Sequence, residues 1–190
     1  MIEDTCSENM FYCIALVLEN KSYFMIYSMG DSDQLVSKGK RYLIFDSRDS
    51  LESYSSSHLK LKIQSENTYF YKLDYIEKFV TSENMKEWNS SENMKKWNSS
   101  EIYNCWNLFD DLEDFDLPSY REYFEYSNQS RNLHQKLLFE IDVFCKGDGV
   151  PQEWLPNESQ RLKIIMRHGM TNIKYIINHC CPVNSEISMA

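Results

Sequence analysis

Residues 11–30 read FYCIALVLENKSYFMIYSMG, and the way this stretch folds sets the class of the protein. Residues 11–18 and 22–29 are apolar runs rich in aromatic and β-branched side chains. Such residues suit a pleated, half-buried surface. Glu19, Asn20 and Lys21 interrupt them with a short polar turn, so the pair predicts an antiparallel β-hairpin. Each run is far shorter than the roughly 20 residues needed to span a bilayer as a helix.

Outward from the hairpin, GDSD (30–33) breaks the pattern and RYLIF (41–45) predicts a third strand after the Lys38-Gly39-Lys40 turn. Asp46 or Ser47 can cap a short helix over about 48–56, with Asp49 and Glu52 favourable near its N-terminus. LKLKI (59–63) alternates and predicts another strand, and TYFYKLDYI (68–76) predicts a strand entering a helix. Beyond residue 100 the period changes from two to about 3.6. Cys105, Trp106, Leu108, Phe109, Leu112 and Phe115 recur at helical spacing in 103–116. Leu133, Leu137, Leu138, Ile141, Phe144 and Cys145 do so in 131–145. Leu162, Ile165, Met166, Ile173, Ile176 and Ile177 do so in 160–178. Strands first and helices after predict an α+β fold, a small N-terminal antiparallel sheet packed against C-terminal helices. The expected organisation is one domain over 1–190, sheet-rich to about 80, with an insertion at about 81–100 and helices at about 101–180.

The insertion is a repeat, SENMKEWNSSENMKKWNSSEIYNCWN (82–107), with Ser-Glu and Trp-Asn returning every nine residues. Nine helical residues turn about 900°, so Trp88 and Trp97 would face opposite sides of one continuous helix. Nine is also shorter than the 20 or so residues of a stacking unit. Short helical turns or a bent helix in a surface insertion are expected, with the third copy merging into the helix that carries Leu108 and Leu112. Duplication within a loop explains the repeat without a function, because closure entropy grows by only about 0.6 kcal/mol per doubling of length. An aromatic-studded recognition arm, with Trp97 as an anchor, is the functional alternative.

The chain carries 29 acidic and 20 basic residues, a formal charge of −9. That balance opposes nucleic-acid or anionic-membrane binding, which needs basic surface, and favours a basic partner. Of the six cysteines none forms a CxxC pair, and the start MIEDTCSENM lacks the basic end and apolar stretch of a signal peptide. A cytoplasmic protein with reduced thiols is expected.

The strongest chemical signal is DDLEDFD (110–116), where Asp110, Asp111, Glu113, Asp114 and Asp116 gather five carboxylates in seven residues. Charges this dense repel and need solvent or a cation. A solvated helix face is the plain interpretation. Magnesium or calcium would suit carboxylate oxygens, but the spacing is not an EF-hand loop. A docking patch for a basic partner is the sharper interpretation. From residue 159 onward Arg161, Lys163, Arg167 and Lys174 oppose Glu186 alone, a net of +3, so −12 falls on the preceding residues. Arg161, Lys163 and Arg167 predict either a small phosphate site or, more simply, the wet face of an amphipathic helix. Catalytic signatures are poor. His58, His134, His168 and His179 form no metal or triad pattern, and no GxSxG, GxGxxG or phosphate-cradling loop is present. His179-Cys180-Cys181 has no second ligand pair at useful spacing for zinc. No cofactor is expected.

Taken together, ENKSYFMIYSMGDSDQ, RYLIFDSRDSLESY, LDYIEKF (73–79) and CWNLFDDL (105–112) give a weakly specific resemblance over about 100 residues. The order of strand pair, strand ending in Phe-Asp-Ser and short acidic helix resembles immunity proteins of bacterial polymorphic-toxin and contact-dependent inhibition systems. The nine-residue duplication departs from that pattern. The resemblance implies a cytoplasmic, non-enzymatic inhibitor that binds the C-terminal domain of one cognate toxin. Many such toxins are nucleases, whose cationic surface an acidic inhibitor can occupy in place of phosphate. The contact candidates are then Asp110, Asp111, Glu113, Asp114, Asp116 and Trp97. A generic acidic adaptor and a carboxylate-metal hydrolase using Asp110, Asp111 and Asp114 stand as alternatives.

Overall fold

The computed structural model describes residues 9–30, 33–38, 41–82, 98–112, 127–146 and 154–179. The protein is α+β, with strands in the N-terminal half and helices in the C-terminal half. The chain divides into two compact units, one of residues up to Tyr71 with those from Tyr175 onward, the other Lys72–Lys174. Among the described residues no helix is long and apolar enough to cross a membrane.

In the first unit the predicted hairpin forms from β1 (Met10–Leu18) and β2 (Lys21–Met29), paired antiparallel from Met10↔Met29 to Leu18↔Lys21. The turn is shorter than the polar stretch suggests. Lys21 joins the strand, and Glu19 and Asn20 alone turn the chain at φ 54° and 60°. Two successive left-handed residues match the right-handed twist of the flanking strands. β3 (Gln34–Leu35) adds to β2, and β6 (Ile63–Lys72) adds to β1, giving the order β3-β2-β1-β6. One sheet face presents Cys13 and Ile26, which are register partners. They cluster with Leu43, Phe45 and Leu51, with Tyr54 and Ile63 packed alongside.

Leu51 and Tyr54 belong to α1 (Arg48–Tyr54), so a short helix of the same unit covers this face. Ser47 caps α1 by accepting from the Ser50 N–H at 3.1 Å. Arg48 pairs with Glu52 at 2.7 Å and donates to Thr68 Oγ1 at 3.1 Å, tying α1 to β6. Burial among these side chains pushes the Cys13 thiol up from its ordinary value.

RYLIF is not one continuous strand. β5 (Arg41–Tyr42) pairs with β4 (Ser37–Lys38) in a separate ribbon, and Phe45 bridges Phe24 through backbone bonds of 2.8 and 2.9 Å. The expected alternation at 59–63 is also replaced. α1 runs on into a π-helical turn (Ser55–Leu59), closed by Lys60 at φ 55°, and β6 begins only at Ile63. Apolar alternation over so few residues does not separate a strand from the end of a helix.

The second unit holds α2 (Leu73–Thr81), α3 (Ser99–Asp110), α4 (Ser127–Lys146) and, as far as Lys174, α5 (Pro156–His179). β6 passes directly into α2 at Leu73, as the pattern at 68–76 predicts. α3 opens where the repeat closes. Asn98, the last residue of the second Trp-Asn, accepts from the Ser100 and Glu101 N–H groups at 3.0 and 3.3 Å. The third copy therefore lies inside α3, with Trp106 buried and Asn107 bonded to His134 at 2.8 Å. The first two copies fall almost wholly outside the described residues.

On α4, Leu133 and Leu137 are buried as predicted, but Leu138 is 43% exposed. The buried line continues instead to Glu140, seven residues beyond Leu133 and two turns along the same face. On α5, Leu162, Ile165, Met166, Ile173 and Ile176 are buried as their spacing predicts, and Met170 joins them.

Candidate interaction site

α3 ends at Asp110, six residues before the predicted end, with Asp111 as its C-cap. The last turn tightens, the Asp111 N–H donating to Asn107 O at 3.1 Å and the Leu112 N–H to Phe109 O at 3.2 Å. Leu112 is buried beside this end. Physical chemistry favours stopping here. The carbonyl end of a helix carries about half a negative charge, and each further aspartate adds repulsion worth roughly 0.3–1 kcal/mol. No basic residue stands in the last turn of α3 to offset it.

The position of the two carboxylates differs from the expectation of a fully wet face. Asp110 and Asp111 are both half-buried, and the Oδ1 atom of Asp110 is itself buried. Of the other predicted contacts, Glu113, Asp114, Asp116 and Trp97 lie outside the described residues. The structure thus places two of the six predicted residues side by side at one helix terminus.

Of the α5 cations expected on a wet face, Arg167 is exposed and Arg161 half-buried, whereas Lys163 is drawn inside. Lys163 is only 9% exposed. Its ammonium donates to Ser82 O at 2.7 Å and to Ser82 Oγ at 2.8 Å, and lies 5.7 Å from the Phe79 ring centroid. Arg167 donates to Val80 O at 3.0 Å, and Lys174 pairs with Glu77. Residues 163, 167 and 174 stand four and seven apart and so share one helix face. That face meets the carbonyl end of α2, where orphan carbonyls and the helix dipole both favour cations. Burial, then the neighbouring Arg167 charge, pushes Lys163 below its ordinary value. Lys163→Met keeps the stem and removes the charge. Leaving the Ser82 acceptors without that donor is expected to cost about 1–3 kcal/mol in urea unfolding. A loss under about 0.5 kcal/mol would show that water replaces the ammonium at no net cost.

A second polar centre of this unit has no sequence motif. Glu140, 2% exposed, accepts from Ser99 Oγ of α3 at 3.1 Å and from the indole N–H of Trp154. One turn earlier on α4, Lys136 pairs with Glu158 of α5 at 2.7 Å and lies 5.0 Å from the Trp154 ring centroid. Glu158 also accepts from the Leu155 N–H at 2.8 Å, a carboxylate capping the helix start just ahead of Pro156. Burial outweighs the donors and Lys136 and pushes the Glu140 carboxyl up. Beside this centre, His134 sits 4.7 Å from the Tyr103 ring and 5.3 Å from Trp106, and burial lowers its pKa. The one available signal for Glu140 was its place on the Leu133–Leu137 face. Periodicity alone reads a lone glutamate there as an interruption.

Among the described residues no group of three His, Cys, Asp or Glu side chains is arranged to hold a metal ion. A cavity of about 270 Å³ opens in the first unit, lined by Lys21, Ser22, Tyr23, Ile44, Phe45 and Asp46. It contains none of the predicted site residues. Comparison with protein-family models, with curated proteins and with solved structures finds no match.

Proposed function

We propose that this protein is an immunity protein that binds the C-terminal domain of a cognate, basic toxin and occludes its active site or substrate-binding surface. The observation that carries the proposal is the acidic segment starting at the carbonyl end of α3. Asp110 and Asp111 stand where a helix dipole disfavours negative charge, and Glu113, Asp114 and Asp116 follow them in the sequence. A run of five carboxylates in seven residues is a surface that suits a cationic partner. Further support comes from the charge of −9, which steers a basic partner. The cations of α5 that the structure describes at Lys163, Arg167 and Lys174 are engaged with α2. The cytoplasm is the compartment in which such an inhibitor would meet its toxin.

Survival gives the first test. The C-terminal domain encoded by the upstream neighbouring reading frame is expressed in a sensitive cell with and without this protein. Toxicity relieved only in its presence supports immunity, whereas killing that persists rejects it and favours an acidic adaptor. Charge reversal then locates the surface. Asp111→Lys combined with Glu113→Lys and Asp114→Lys is expected to weaken toxin binding at least about tenfold, about 1.4 kcal/mol, with the largest loss at low salt. The same change places a cation at the helix C-terminus, so thermal stability is expected to hold or rise. Unchanged affinity would remove the acidic segment from the mechanism.

A further inference from the structure

We infer that the buried Glu140 carboxyl is a proton-uptake site that couples the stability of the helical unit to pH, independently of any toxin partner. The site is built from three elements. Glu140 comes from α4, Ser99 from the first turn of α3, and Trp154 from the segment just before α5. Both groups that hydrogen-bond the carboxyl, the Ser99 hydroxyl and the Trp154 indole, are neutral donors. Among the described residues the charged group facing it is Lys136 of its own helix, and that ammonium is shared with Glu158 of α5 at 2.7 Å. A carboxylate at 2% exposure thus lacks a cation of its own among the described residues, and an ion so placed is costly to desolvate.

The neutral acid fits the same geometry without breaking a bond. A solvent proton forms an O–H on Oε2. The Ser99 hydroxyl, which donates to the carboxylate, rotates and accepts from the acid, because a hydroxyl can do either. The indole N–H goes on donating to Oε1. No other group has to move, and no co-reactant beyond the proton is required. Both protonation states are therefore bonded, and the neutral one avoids the desolvation cost.

The direction of the pH dependence follows. Burial places the folded-state pKa of Glu140 above its unfolded value. The folded state then holds a proton that the unfolded chain has released. The stabilisation is complete below the unfolded value and is lost as pH rises through the window up to the folded one. The helical unit is therefore weakened on the alkaline side of that window.

Infrared spectroscopy of the intact protein tests this directly. Across a titration from about pH 4 to pH 8, the folded protein is expected to show a protonated-carboxyl band, lost in E140Q, that persists to higher pH than the bands of the exposed carboxylates. Glutamine preserves the geometry, its carbonyl accepting from the indole and its amide donating to Ser99. Urea midpoints from about pH 4 to pH 8 should show E140Q gaining on the unsubstituted protein as pH rises. Absence of the band, or midpoint curves that run parallel, overturns the inference. Should E140Q fail to fold, Trp154→Phe takes its place. Losing a donor to the ionised form raises the midpoint at which the infrared band titrates, and an unmoved midpoint overturns the inference.

Discussion

Trp106→Ala is expected to lower the unfolding free energy by about 3–5 kcal/mol, the range for emptying a core position of a large aromatic ring. Trp106 is 1% exposed and sits in α3 with Ile102, Cys105 and Phe109, all fully buried. Its ring meets the edge of His134 from α4 at 5.3 Å, and His134 in turn bonds Asn107 at 2.8 Å. Truncation removes the packing on one side of His134 as well as the indole itself. Neighbours held by helix geometry relax only partly, so the cavity term adds to the lost transfer energy. The drop is read from urea unfolding with an unchanged slope. A loss of under about 1 kcal/mol would mean that α3 and α4 collapse onto the space, contrary to the close packing expected of such a core. The third Trp-Asn has a structural role. Its tryptophan is a core residue and its asparagine holds a histidine, so similarity among the copies does not imply a shared role at Trp106.

Gly169→Ala is expected to destabilise by about 1–3 kcal/mol, although alanine is the better helix former by about 1 kcal/mol. Gly169 lies within α5, where intrinsic propensity taken alone predicts a gain. The tertiary contact reverses the sign. A Cβ on Gly169 would fall 2.0 Å from Phe109 Cδ2 and 2.3 Å from its Cγ. Phe109 is fully buried, so its ring has no open space to move into. One of two packed helices must shift, and overpacking outweighs the propensity term. Shrinking the ring tests the cause. In Phe109→Leu/Gly169→Ala the two effects should fall short of additive by at least about 0.5 kcal/mol, because the smaller side chain makes room for the methyl. A stabilised Gly169→Ala protein would show that α5 does not approach Phe109 this closely.

These two positions show where sequence reasoning succeeds and where it stops. Trp106 was legible as a core residue because it falls on the stripe of Cys105, Leu108 and Phe109. Gly169 was not, since glycine carries no side chain for a pattern to register. Lys163 was expected to be wet because its own helix reads as amphipathic. It is buried because the end of α2 lies beside it, a fact of another element. Glu140 follows the same logic, being supplied with donors by Ser99 and Trp154, which are 41 and 14 residues away in the chain. The candidate contact surface was legible only as a composition. Asp110 and Asp111 are adjacent in any fold, but their half-burial and the early end of α3 depend on helix packing.

By itself the sequence determined the elements whose causes are local. Alternating and helical periods, the Ser47 and Asn98 caps, the β1–β2 turn and the passage from β6 into α2 all depend on residues a few positions apart. It also determined the formal charge of −9. Only the tertiary structure decided which charges are spent inside the protein, where the glycine of α5 is required, and that the short α1 covers a face of its own sheet. Those outcomes depend on distances between elements far apart in the chain, and no local pattern encodes such distances.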